Sequence, residues 1–315
     1  MVRYYLKVDG RLKELEQPEP GCWVNITPPF NQEELEEVAQ TFDSPLEFFT
    51  DSLDIDERSR YEIEEDVRLI LVNTPVLNPT EEENDAIYIT VPIGIILADE
   101  HVITITSIEN PVLQRFLDDK VKNFDPSDSV QFILQILEQN VYRFLTCLKK
   151  LDLKRNLIEQ ELYHSSRNRE LRQLLSIEKS LVYFVNSLSA NDLLNMKMKR
   201  TDFLTIRDDE EKFDLFEAII IDNGQALEMS NVYSNILSGT MDTYASIISN
   251  NMNVTIHRLT LVTIFLAVPT LIASFFGMNV PLPFQTSRFA VYLIIVLALV
   301  ISLLLALYFQ RKRLF

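Results

Sequence analysis

The sequence predicts an α+β domain in which helices flank a mixed β-sheet, followed by one long helix and two C-terminal membrane-spanning helices. Three observations support this prediction. The first ~110 residues alternate between β-rich runs and short amphipathic segments. Helical periodicity then dominates residues 127–199, and two long uncharged apolar runs lie near the C-terminus.

The elements follow in order along the chain. The β-rich runs are residues 4–8, 22–26, 67–77 and 86–107. Short helices are predicted at 31–42 and 44–54, with Asn31 and Ser44 as N-caps. The later helical region is interrupted at 165–168 and again at 201–207. No proline occurs between Glu210 and Pro269, which predicts one helix that continues into the first apolar run.

Charge divides the chain into two parts. Residues 1–257 hold 24 Lys and Arg against all 46 Asp and Glu, a net charge of −22, whereas residues 258–315 hold five basic residues and no acidic one. An acidic body disfavours nucleic acid as a partner, because phosphate binding requires clustered Lys and Arg. It suits the attraction of cations, although like charge also keeps a soluble surface from aggregating.

The chain has two cysteines, Cys22 and Cys147, and no other secretory feature, so we expect reduced packing residues rather than a disulfide. Its first 15 residues alternate like a strand and lack the apolar core of a signal peptide, which predicts a cytoplasmic N-terminal body. The six glycines form no phosphate-binding loop and no hydrolase or zinc-protease motif is present, so an enzyme is disfavoured.

Two runs, residues 259–276 and 289–309, are about long enough to cross a ~30 Å hydrocarbon layer, which makes the lipid bilayer a partner. Arg258 precedes the first run and three basic residues follow the second, against Arg288 alone between them. The excess of basic residues places both termini in the cytoplasm of a multi-pass plasma-membrane protein.

A polar stripe runs along the long helix at about 3.5 residues per turn. Its positions are Asp242, Ser246, Ser249, Asn253, Ile256, Thr260, Thr263, Ala267, Thr270 and Ser274. Small polar residues in a membrane helix either allow close helix packing or line a water-filled path. Extension of the stripe beyond the apolar run, through Asp242 and Asn253, favours the path. Two spans cannot enclose a pore, so a path implies a ring of copies with the first helix innermost.

The segment PTLIASFF is followed by Gly277, Met278 and Asn279, and with this layout the chain resembles the CorA-type divalent-cation channels, commonly called magnesium transporters. The resemblance implies a funnel-shaped homopentamer that takes up hydrated divalent cations, chiefly Mg2+ and also Co2+ or Ni2+. It implies that Gly277, Met278 and Asn279 form the selectivity filter, with Asn279 as a ring at the outer mouth. It also assigns pore positions to Asn253, Leu259 and Asp242, among others on the polar stripe.

Gating in this family implies a regulatory Mg2+ bound between cytoplasmic domains, beside the transported Mg2+, and no organic cofactor. An ungapped match places the family's stalk-side interface aspartate on Ala218, with Glu217 beside it and Asp222 one turn further on. Asp85, at the end of the acidic run 80–85, is a candidate for the opposing ligand. Two alternatives stay open: a Zn2+ transporter of the same superfamily, and a two-span membrane-anchored sensor or scaffold.

These interpretations divide the chain into six parts. They are a cytoplasmic αβ regulatory domain (1–200), the cytoplasmic part of the stalk and pore helix (208–258), a first transmembrane helix (259–276), an outer loop with the Gly-Met-Asn motif (277–288), a second transmembrane helix (289–309) and a basic cytoplasmic tail (310–315).

Overall fold

The computed structural model describes residues 1–80, 85–164, 168–278 and 289–311. The chain forms two compact units, Met1–Met241 and Asp242–Phe315. The strands are β1 (Val2–Val8), β2 (Arg11–Leu15), β3 (Trp23–Ile26), β4 (Arg60–Glu64), β5 (Val67–Leu77), β6 (Tyr88–Ala98) and β7 (His101–Ile105). The helices are α1 (Gln32–Thr41), α2 (Leu46–Asp51), α3 (Pro111–Leu117), α4 (Ser129–His164), α5 (Asn168–Thr201), α6 (Glu210–Phe276) and α7 (Ala290–Arg311).

Within the described residues, the first unit is built on a seven-stranded sheet in the order β2-β1-β3-β7-β6-β5-β4. Strands β3 and β7 pair in parallel, with Trp23 opposite Val102, and all other neighbours pair antiparallel. The longest pair, β5 and β6, sets Asn73 opposite Pro92. The predicted mixed sheet with flanking helices, long helix and apolar C-terminal helix is confirmed.

Both faces of the sheet are buried, because successive side chains of a strand point to opposite sides. Ile70 and Val72 of β5 join a core with α3 and α4, in which the Trp23 ring lies 5.2 Å from that of Phe132. Leu69 and Leu71 join a second core with α1 and α2. Each such buried apolar side chain stabilises the fold by about 1.5–3 kcal/mol.

Two strands and one helix cap differ from the predictions. Residues 1–15, which alternate like one strand, form two antiparallel strands, β1 and β2. Strand β4 was missed, because its charged sequence lacks an apolar run and it is held as an edge strand by pairing with β5. Asn31 caps α1 as predicted, accepting a 2.7 Å hydrogen bond from the N–H of Glu34. The prediction that Ser44 caps the next helix is wrong: Pro45 is the N-cap residue of α2, and the Ser44 hydroxyl donates to the carbonyl of Phe42.

Helix α5 is joined to the sheet by side-chain amides. The N–H of Asn73 donates to Asn191 Oδ1 at 3.1 Å, and the carbonyl of Asn73 accepts from the amides of Asn191 and Asn140, each at 2.9 Å. Strand β4 pairs with β5 only through Leu71, so these amides occupy the hydrogen-bonding edge of β5 beyond the end of β4. Together with Ser59 Oγ, which accepts from the Asn73 N–H at 3.2 Å, they satisfy the buried backbone on that side.

The first part of α6 presents a buried seam to the rest of the first unit. The seam consists of Phe216, Ile219, Asn223, Ala226, Ser230 and Leu237. Its spacing of three and four residues is that of a coiled-coil core. The buried amide of Asn223 donates to the carbonyl of Leu188 in α5 at 3.1 Å, and a buried Asn at such a position fixes the register of two helices.

The described part of the second unit consists of the last part of α6 and α7. Both helices contain segments long and apolar enough to cross a membrane. As predicted, α6 is continuous from Glu210 to Phe276 and contains Pro269. Leu261 of α6 and Ala298 and Ser302 of α7 are buried, and the small side chains of α7 at these positions permit close helix contact.

Candidate functional site

All ten residues of the polar stripe are exposed on α6, and so is Leu259. The side of α6 that is buried or half-buried is a different one, formed by Leu261, Ile264, Val268 and Ile272, of which Leu261 and Ile264 line a groove with α7. At 100° per residue the two sides lie roughly 125° apart around the helix. The stripe is therefore left free by the packing of α7.

Four of the six hydroxyl groups of the polar stripe have a common geometry. Thr260, Thr263 and Thr270 each donate a 2.9 Å hydrogen bond to the carbonyl four residues earlier. Ser246 does the same to Asp242 at 3.0 Å. A hydroxyl has one hydrogen, so a group that donates it to the backbone offers only acceptor lone pairs to its surroundings. The stripe thus presents electron-rich oxygens outward.

At the end of α6, the N–H of Gly277 donates to the carbonyl of Ala273 at 3.0 Å and continues the helical hydrogen bonding. Met278 follows, with its N–H 3.4 Å from the carbonyl of Phe275, and its side chain is about half exposed. The C-terminal end of a helix carries the negative end of its dipole, which favours cations. Asn279 lies outside the described residues.

The candidate regulatory carboxylates lie at two separate places in the first unit. Glu217 accepts a 2.5 Å hydrogen bond from Lys199 near the C-terminal end of α5. Asp85 lies 3.9 Å from Lys179 of the same helix. The two lysines are separated by 20 residues of continuous helix, so the carboxylates are held about 30 Å apart. Within one chain they cannot share a metal ion.

Asp222 is exposed on α6. Among the described residues, no group of three or more His, Cys, Asp and Glu side chains is arranged to hold a metal ion. The lysine partners of Glu217 and Asp85 were missed in the sequence, because they are 18 and 94 residues away and no periodicity links them.

A family model described as "CorA-like Mg2+ transporter protein" matches residues 19–312. The chain belongs to this family. CorA family members are membrane transporters for divalent cations rather than enzymes, in agreement with the class that the sequence predicted.

A curated relative, the "Cobalt/magnesium transport protein CorA" of Methanocaldococcus jannaschii, is 27% identical over 92% of this chain and 90% of its own length. The complete structure of the CorA magnesium transporter from the same organism superposes with a TM-score of 0.81 at 24% identity, covering 99% and 98% of the two chains. The full-length CmaX protein has a TM-score of 0.67 at 15% identity and 97% coverage of each. The fold of the CorA structure therefore matches 99% of this chain.

Proposed function

We propose that this CorA family protein is a homopentameric channel for the uptake of hydrated Mg2+, and also of Co2+, across the plasma membrane. The name of its curated relative refers to the transport of cobalt and magnesium, and the description of the family names Mg2+ as the transported ion. The proposal assigns selectivity to a ring of Asn279 side chains, with Gly277 and Met278 completing the filter.

The observation that carries this proposal is the polar stripe on the free side of α6. Mg2+ releases its water reluctantly and crosses most easily with its hydration shell in place. Coordinated waters point their hydrogens outward, and the hydroxyls of Thr260, Thr263 and Thr270 offer acceptors to them. A neutral amide oxygen at Asn279 accepts such hydrogen bonds without the tight binding of a carboxylate.

Several copies are needed because two helices cannot enclose a pore. In the proposed pentamer, α6 lies innermost with the stripe toward the axis, and α7, which has no charged residue before Arg311, faces lipid. The proposed pore-lining positions are Asp242, Asn253, Ile256, Leu259, Thr260, Thr263, Ala267, Thr270 and Ser274. Leu259, which is exposed and apolar beside the stripe, forms a hydrophobic constriction.

Regulation is proposed to depend on Mg2+ bound between neighbouring copies. The separation of about 30 Å between Glu217 and Asp85 along α5 supports this arrangement, since one copy cannot bring them to the same ion. Asp222 is the exposed carboxylate one turn beyond Glu217 and joins the stalk side of the proposed site. Internal Mg2+ then holds the copies together and closes the pore.

The proposed topology keeps both termini in the cytoplasm. Residues 1–200 form the regulatory domain, 208–258 the cytoplasmic stalk, 259–276 and 289–309 the two spans, 277–288 the outer loop and 310–315 the tail. The concentration of basic residues at the inner ends of the spans supports this orientation.

The test uses the full-length protein in liposomes loaded with a fluorescent Mg2+ indicator. We expect uptake of Mg2+ and Co2+ that internal millimolar Mg2+ slows, and loss of uptake on Asn279→Ala. Asn251→Ala, on α6 but outside the polar stripe, is the matched control and should retain uptake. Unchanged uptake in Asn279→Ala would refute the filter. Preferential uptake of Zn2+ would identify a zinc transporter, and absence of any flux would favour a membrane-anchored sensor or scaffold.

A further inference from the structure

An apolar groove opens between α6 and α7 in the second unit. Its volume is about 220 Å3, and its walls are formed by Leu261, Val262 and Phe265 of α6 together with Leu305, Ala306 and Phe309 of α7. The groove lies at the end where the first span begins and the second ends. In the proposed topology this is the cytoplasmic leaflet.

The positively charged side chain of Arg258 lies on the same side of α6 as this groove. Arg258 is exposed and lies four residues before Val262 and seven before Phe265, so the three share one side of α6. Arg311 ends α7 at the same end of the unit. Residues 258–315 contain no Asp or Glu, so no acidic group of this segment compensates the charge.

We propose that the groove binds an anionic phospholipid, with one acyl chain between α6 and α7 and the headgroup phosphate on Arg258. The proposal rests on the membrane insertion assigned under the proposed function. A guanidinium binds phosphate through two parallel hydrogen bonds, and the loss of a hydrogen bond to a charged group costs about tenfold in affinity or more.

The charge beside the groove favours an anionic lipid over a span from a second copy. Residues 258–315 contain no Asp or Glu, so the spans of a neighbouring copy offer no acidic side chain to Arg258. The groove has a volume of about 220 Å3. Its apolar walls match the acyl chain, and Arg258 at its edge matches the negative headgroup.

The first test is native mass spectrometry of the full-length protein in detergent, titrated with dioleoyl phosphatidylglycerol or dioleoyl phosphatidylcholine. We expect the wild type to retain phosphatidylglycerol in preference to phosphatidylcholine. Arg258→Gln should weaken phosphatidylglycerol binding about tenfold and phosphatidylcholine binding less, because the choline ammonium already offsets the charge of that phosphate. Arg311→Gln is the matched control, because Arg311 lies roughly 160° around α7 from the groove, and it should change binding less than twofold.

A second pair of variants tests the groove itself. Ala306→Trp fills it and should abolish the retention of both lipids, whereas Leu304→Trp, on the exposed opposite side of α7, should not. The proposal is overturned if the two lipids bind equally, or if Arg258→Gln binds phosphatidylglycerol as tightly as the wild type. It is also overturned if Ala306→Trp keeps its lipid but loses subunits, because a neighbouring copy then covers the groove.

Lipid retention is measured without ion flux, so the two proposals fail separately. A protein that conducts ions but shows no lipid preference would refute the lipid site alone. A protein that retains phosphatidylglycerol through Arg258 but passes no cation would refute the channel alone.

Discussion

Lys199 at the end of α5 donates a 2.5 Å hydrogen bond to Glu217 of α6, and its ammonium lies 5.4 Å from the centre of the Phe213 ring. The proposed regulatory carboxylate is therefore already paired within its own chain. In the proposed regulation, Mg2+ at Glu217 would have to compete with this ammonium, so the ion pair would raise the internal Mg2+ concentration needed to close the channel.

We predict that Lys199→Gln lowers the internal Mg2+ concentration that half-inhibits flux, by up to about fivefold, because partly exposed ion pairs contribute about 1 kcal/mol or less. Glu217→Gln should raise that concentration. The measurement is indicator-loaded liposome flux over a range of internal Mg2+. Lys120→Gln, which removes a different ion pair with Asp118, is the control. If neither Lys199→Gln nor Glu217→Gln moves the inhibition curve, Glu217 is not a regulatory ligand.

The polar stripe gives a second prediction. Thr263→Val keeps the shape of the side chain but removes the acceptor oxygen, and we expect Mg2+ flux to fall about 2- to 13-fold, as for the loss of a hydrogen bond worth about 0.5–1.5 kcal/mol. Thr255 makes the same 2.9 Å bond to the carbonyl four residues earlier, but it lies roughly 100° from the stripe. Thr255→Val should leave the flux unchanged, and equal effects of the two variants would argue against the stripe as the pathway.

The amide contacts between α5 and the sheet give a stability prediction. Asn191→Ala removes one of the two partners of both the N–H and the carbonyl of Asn73, which keep Ser59 and Asn140, and the loss of two hydrogen bonds costs about 1–3 kcal/mol. We expect the free energy of unfolding to fall by about 2 kcal/mol, measured by denaturant unfolding of the purified full-length protein. Asn186→Ala, at an exposed position of the same helix, should have no measurable effect.

The two cysteines give a prediction for pH. Burial raises the pKa of the Cys22 and Cys147 thiols, so both stay protonated in the folded protein at pH values where an unfolded thiol, with a pKa of about 8.5, ionises. The unfolded chain then binds fewer protons than the folded one, and stability should fall as pH rises above about 8.5. Unfolding curves at pH 7, 8.5 and 9.5 measure this loss.

The double variant Cys22→Ala, Cys147→Ala should lose part of that pH dependence. In the wild type, an aryl disulfide reagent at pH 8 should react with neither thiol until the protein unfolds, since both side chains are fully buried. Rapid reaction in the folded protein would contradict the burial of the thiols.

Patterns local in sequence were predictable. Long apolar runs, the absence of proline before Pro269 and the alternation of β5 and β6 depend on neighbouring residues, so the helices, the central strands and the polar stripe could be inferred from the chain alone. The edge strand β4 could not, because its hydrogen-bonding partner β5 rather than its own side chains holds it in place. Ser44 failed as a cap for a similar reason: its hydroxyl found a different backbone partner.

The sequence by itself determined the class of protein, since hydrophobic periodicity, charge distribution and the Gly-Met-Asn signature are properties of contiguous segments. Only the tertiary structure decided which distant polar and charged groups contact one another. Lys199 with Glu217, Lys179 with Asp85 and Asn191 with Asn73 are separated by 18 to 118 residues, and the packing of α5 brings each pair together. Such contacts depend on the geometry of packed helices and strands, which leaves no periodic trace in the chain.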